Sequence, residues 1–170
     1  MADNISHTVP TAGFGQATFQ QCWFASYKMI FSHKGLSTGS IKDKLSSVID
    51  FDDAMANGLL DTDYQKCAQA LGLSYWKGTQ FNQERGFWDV GISDGAEELH
   101  GLLRQGPLWV SRKISKDSYH ITVLKGYVDT DRGDFVINNP YPGPNDALEQ
   151  QVPASHYARM VTGANASVQR

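Results

Sequence analysis

Cysteine is scarce in this chain: Cys22 and Cys67 are the only two in 170 residues. Two cysteines allow one framework disulfide, weak evidence for an oxidising compartment. With no Cys-x-x-Cys and five scattered histidines, a structural zinc site is poorly supported. No apolar run approaches the roughly 20 residues that a membrane-spanning helix needs. Positive charge is not in excess either. Fifteen Lys and Arg face 18 Asp and Glu, a net charge of −3, so neither nucleic acid nor an anionic membrane surface is an expected partner. The opening Met1 to His7 is polar and lacks the charged-then-apolar plan of a secretory signal. The chain is therefore expected to be made in the cytoplasm without a cleavable signal, and either kept there or delivered by a route that needs none. Repeats, low-complexity tracts and Pro/Gly-rich linkers are also missing, and the length suits one domain spanning 1–170.

What the chain does have is a thiol in a telling place. In Gln16-Ala17-Thr18-Phe19-Gln20-Gln21-Cys22-Trp23-Phe24-Ala25-Ser26, an irregular segment turns into an apolar helix at Cys22. A helix N-terminus offers free N–H groups and partial positive charge, both of which favour thiolate. The dipole alone supplies about 0.3–1 kcal/mol, less than one pKa unit, so a reactive thiol needs a second helper. Gln16, six positions upstream, can fold back so that its amide and the Cys22 N–H donate to one oxygen, as an oxyanion hole requires.

Around that stretch the elements read as follows. Residues 1–15 form an irregular arm. Cys22 to about Ser32 is a helix apolar on most sides, hence central, ended by His33-Lys34-Gly35. Ser40 to Ile49 is amphipathic, with Ser40 as its cap, and the Asp50, Asp52, Asp53 segment is a loop. A third helix, capped by Asp61 or Thr62, carries Tyr64, Cys67, Ala68 and Leu71 and stops at Gly72. Cys67 reads as a small buried hydrophobe. Leu73 to Trp76 is extended, residues 78–92 have no clear pattern, and a helix from about Asp94 to Leu103 ends at Gly106-Pro107. Strands follow over 108–112, 119–128 and 135–139, with a polar turn at 129–134 and a Pro-rich loop from Pro140. A weak element surrounds His156-Tyr157, and residues 163–170 are expected to be a mobile tail. Helices first and consecutive strands second give an α+β fold, an N-terminal helical half on a C-terminal antiparallel sheet.

That arrangement sets Cys22 across a cleft from His120, which starts a strand. A Cys–His couple exchanges a proton, and the imidazolium stabilises the thiolate. Asn139 ends the partner strand of the same hairpin, where its amide oxygen can hold the second imidazole nitrogen and fix its tautomer. Asn138, one residue off, points to the opposite face.

The ordered set Gln16…Cys22-Trp23-Phe24-Ala25-Ser26, Gly106-Pro107-Leu108-Trp109-Val110, Tyr119-His120-Ile121-Thr122-Val123 and Val136-Ile137-Asn138-Asn139-Pro140 resembles the papain-like cysteine peptidases. Within them it looks most like the small bacterial branch of avirulence-type effector peptidases and bacteriocin-exporter peptidase domains. The resemblance implies Cys22 as nucleophile, His120 as general base and later acid, Asn139 as the orienting residue, and Gln16 with the Cys22 N–H as the oxyanion hole. Many small relatives carry Asp-Pro where this chain has Asn139-Pro140. The cysteine that papain-type enzymes place just before the nucleophile is also missing here, so its disulfide is not expected.

The expected activity is therefore cleavage of protein substrates through a Cys22 thioacyl intermediate, with no metal or organic cofactor. Trp23, Trp109 and the 78–92 stretch are expected to wall the substrate cleft. Two alternatives stay open: another thiol acyl transfer on the same fold (amidase, deamidase, transglutaminase), and a catalytically silent binding module. A compact lone peptidase also suits a toxin-like effector acting in a target cell, with an immunity or inhibitor protein in its producer.

Overall fold

The computed structural model describes residues 7–8, 11, 13–78, 101–128, 133–140, 148–161 and 166–170. Expectations for residues 79–100, 129–132 and 141–147, which include most of the patternless stretch and the start of the fourth helix, lie outside these.

Cys22–His33 forms the central helix α1, entered through a 3₁₀ turn at Phe19–Gln21. Eight of its residues are buried, among them Trp23, Tyr27, Met29, Ile30 and Phe31, as an all-round apolar helix requires. Helix α2 is Ser40–Leu45, shorter than its apolar pattern predicts, and it is not capped by Ser40, whose hydroxyl donates to the Ser37 carbonyl at 2.8 Å. The acidic stretch read as a loop is instead helix α3, Phe51–Asn57. Asp50 makes it so: its carboxylate accepts the Asp53 N–H at 3.0 Å, an N-cap, and Phe51 and Ala54 turn to the core. Helix α4, Tyr64–Leu71, follows a 3₁₀ turn at Asp61–Asp63 and ends on Gly72 with φ +70°. Residues 101–103, the described end of the fourth predicted helix, are helical and bury Leu102 and Leu103.

The sheet is antiparallel throughout its described strands. Its strands are β1 His7–Thr8, β2 Tyr75–Lys77, β3 Leu108–Ser115, β4 Ser118–Val128, β5 Asp134–Asn139, β6 Leu148–Pro153 and β7 Ser167–Gln169. They lie in the order β2-β7-β3-β4-β5-β6, with β1 paired to β4. Helix α5, Ala154–Val161, packs on one face with Leu108, Val110, Leu124 and Phe135; α1 packs on the other with Trp109, Ile121 and Val123. The α+β expectation stands.

The tail is the main departure. Residues 167–169 are fully buried between β2 and β3. Burying Val168 contributes about 1.5–3 kcal/mol, while ordering each backbone residue costs about 1–2 kcal/mol. Ladder bonds on both edges and the Gln169 side chain supply the difference. Gln169 Oε1 accepts from Tyr27 Oη at 2.8 Å, and its Nε2 donates to the Tyr64 carbonyl at 3.3 Å. The irregular arm is likewise tied at one point by β1.

Candidate active site

Strand β5 ends early, and that exposes the site. Its first pair with β4 is Asn138 with Val123, so residues 119–122 of β4 run on without a β5 partner. Backbone N–H and C=O groups lie in the plane of a sheet and point out of such an open edge. The first turn of α1 fills it. The Ile121 N–H bonds the Cys22 sulfur, while Ser26, one helical turn on, donates its hydroxyl to the Ile121 carbonyl at 3.5 Å. Cys22 and Ser26 thus hold the two backbone groups of one residue, Ile121, directly after His120. Sequence reasoning did not single out Ser26; its signal is the i, i+4 spacing that puts both side chains on one face.

The His120 imidazole leaves β4 on the α5-facing side, in register with Arg112 on β3. Its Nε2 lies 2.7 Å from Asn139 Oδ1. An amide oxygen only accepts, so Nε2 carries the proton and Nδ1 is left with its lone pair. Asn139 Nδ2 in turn donates to Gln150 Oε1 at 3.2 Å, which ties the amide to β6. Asn138 faces the α1 side, as alternation requires, and donates to the Thr11 carbonyl at 3.3 Å.

Among the described residues no hydrogen bond joins Cys22 to His120; what they share is the Ile121 peptide. The electrostatics favour neutral partners at rest. Burial pushes the Cys22 thiol above its ordinary value, against the opposing pull of the Ile121, Trp23 and Cys22 N–H groups. Burial, helped by the Arg112 charge and opposed by the Asn139 bond, holds His120 below its ordinary value. The sequence suggests a resident ion pair; the folded environment penalises both charged forms.

Two depressions flank the start of α1. The larger, a cleft of about 500 Å³, is bounded by Cys22, Gln20, Leu60, Tyr64, Lys116 and Ile121. Cys22 is only 5% exposed and lines that cleft. The smaller, about 110 Å³, includes Gln16, Gln21, Phe24 and Ala25. Gln16 lines this smaller depression, while Cys22 lines the larger. The Gln16 N–H donates to the Pro140 carbonyl at 3.1 Å, next to Asn139, and its Nε2 donates to the Thr18 carbonyl at 2.8 Å. One Nε2–H remains for a ligand, and Oε1 is buried without a partner among the described residues.

Trp109 is not a cleft wall. It is fully buried, stacked on Tyr27 with ring centroids 5.1 Å apart, and its Nε1 donates to the Trp23 carbonyl at 3.2 Å. The reason is strand alternation, which turns position 109 inward with Val123. Trp23 borders the cleft from beneath, fully buried, with Nε1 bonded to the Ala54 carbonyl at 3.3 Å. Cys67 is buried in the helical core and its thiol is pushed up to about 12 by burial and the nearby Asp63 charge.

Comparison with known families gives one match: the family model described as papain-like cysteine protease AvrRpt2 aligns with residues 3–154. A search of curated proteins finds no similar sequence.

Proposed function

This chain belongs to the papain-like cysteine protease AvrRpt2 family, a family of hydrolases that act on peptide bonds, and on that premise we propose that it is an endopeptidase working through a Cys22 thioacyl intermediate. The observation that carries the assignment is the bond from His120 Nε2 to Asn139 Oδ1, 2.7 Å long. It leaves Nδ1 as the free base, one residue from the peptide that holds the nucleophile.

In this reading the substrate carbonyl enters the cleft beside Cys22. The thiol proton passes to His120 Nδ1 as the sulfur–carbon bond forms, so charge appears only as the carbonyl oxygen becomes an oxyanion. The oxygen is met by the Cys22 N–H and the remaining Gln16 Nε2–H. The tetrahedral species collapses, the carbon–nitrogen bond breaks, and the amine leaves with the proton from the imidazolium. Water then adds to the thioester with His120 again as base, and Cys22 regains its proton as the acid departs. Neutral partners at rest suit this sequence, because the base acts at the moment of attack.

Incubation with an unstructured, casein-like protein followed by mass spectrometry tests the reaction class. New chain termini are expected; amide-to-acid conversions or crosslinks without cleavage would replace the peptidase reading with deamidase or transglutaminase chemistry. A second expected outcome concerns Gln16→Ala: a fall in kcat of about 10²–10³, the usual worth of one oxyanion donor, with KM little changed. An unchanged kcat would remove Gln16 from the hole.

A toxin-like effector role, with delivery into a target cell and an inhibitor or immunity protein in the producer, extends the same proposal. Its support is the likeness of the ordered site segments to effector peptidases. Copurification with neighbouring gene products, giving a tight inactive complex, is the expected result.

A further inference from the structure

The bond between Asn139 and Gln150 gives a β6 side chain a part in setting the proton on His120. Leu148 is the register partner of Asn139, so Gln150, two residues on, is its diagonal neighbour on the same face. From there Gln150 Oε1 accepts the Asn139 Nδ2–H at 3.2 Å.

The consequence follows from the symmetry of an amide. Asn139 can turn over about its last side-chain bond, exchanging Oδ1 for Nδ2 at nearly the same positions. Turned that way, it donates to His120 Nε2 instead of accepting. His120 must then carry its proton on Nδ1, and an Nδ1–H cannot take the proton of a thiol. A carboxylate has no such wrong face, since both its oxygens accept. An asparagine in this position therefore needs a second contact that distinguishes its two ends. Gln150 is that contact as the structure sets it, with Oε1 toward Asn139: Oε1 accepts from Nδ2 but not from Oδ1, whereas the Gln150 amide turned over would present Nε2 and favour the other end.

We infer that Gln150 is a positioning residue: it holds the Asn139 amide so that His120 keeps its proton on Nε2 and its lone pair on Nδ1. The inference rests on the Cys22–His120–Asn139 reading above, but it also has a readout of its own, the imidazole tautomer in the resting enzyme. Gln150 is half-buried at the sheet margin, so substitution there leaves the core intact.

The test compares Gln150→Leu and Gln150→Glu in the full chain, by peptidase kinetics and by nitrogen NMR of ¹⁵N-labelled His120. Gln150→Leu removes the acceptor. It is expected to lower kcat about tenfold, the worth of one neutral hydrogen bond, with KM nearly unchanged and with Nδ1–H signal appearing in the spectrum. Gln150→Glu keeps only acceptors and should retain the wild-type tautomer and at least the wild-type kcat. If Gln150→Leu keeps both tautomer and kcat while His120→Ala is inactive, Gln150 has no positioning role and the catalytic reading stands. If the tautomer shifts as expected but the wild type cleaves nothing, the amide lock is real and the peptidase assignment is what fails. Loss of kcat in both variants with no change of tautomer would make the effect structural and overturn the inference.

Discussion

Cys22→Ala is expected to abolish peptide-bond cleavage, a loss on the order of 10⁶ in kcat where nucleophile and base act as a unit, while the protein stays folded. The sulfur is the atom that must bond to the acyl carbon, and the described cleft offers no second thiol; Cys67 lies in the helical core. The structural cost is small. The change removes one polarisable atom at the start of α1, so it should cost under about 2 kcal/mol, the lower end for truncating a large aliphatic side chain. Helix α1 keeps Trp23, Tyr27, Met29, Ile30 and Phe31 in place. Activity against a protein substrate, read beside a thermal melt, checks both halves; turnover at the parent rate would end the assignment. The raised Cys22 pKa adds a spectroscopic corollary. Far-ultraviolet difference spectra between wild type and Cys22→Ala should show no thiolate band at neutral pH, and one should grow in only above the ordinary thiol range.

His120→Ala is expected to lower kcat/KM by at least about 10²–10⁴, the usual contribution of a positioned acid–base group. The pH profile of the intact enzyme carries the sharper statement. The base works only when unprotonated, so activity falls as pH drops through its folded pKa. Burial and the Arg112 charge hold that pKa below the ordinary histidine value. The acidic limb of kcat/KM should therefore lie at lower pH than a free imidazole would give. Arg112→Gln takes away the positive neighbour, lets His120 protonate sooner and should move that limb to higher pH. A limb at the ordinary histidine value in both proteins would mean that neither burial nor Arg112 acts on the catalytic base.

Much of this site is legible in the sequence, because its parts are local signals. An apolar helix opening on Cys22, a strand opening on His120 and a strand closing on Asn139 can each be read from a few neighbouring residues. The hairpin between 119–128 and 135–139 then forces His120 and Asn139 together, as their 2.7 Å contact confirms. Errors arose where one local signal masked another. Three aspartates at 50–53 look like a loop, yet the first of them caps α3. Trp109 looks like a cleft aromatic, yet alternation along β3 turns it to the core.

The chain's own patterns settled the elements that carry the chemistry and their order, because hydrophobic period, caps and turn residues act over a few positions. What folding alone decided depends on groups far apart in sequence. Residues 167–169 became an interior strand because two distant edges and Tyr27 were waiting for them. Cys22 and His120 came to rest on either side of one peptide, and burial set both toward neutrality. Edge pairing and desolvation are properties of the assembled interior, and no short window of residues encodes them.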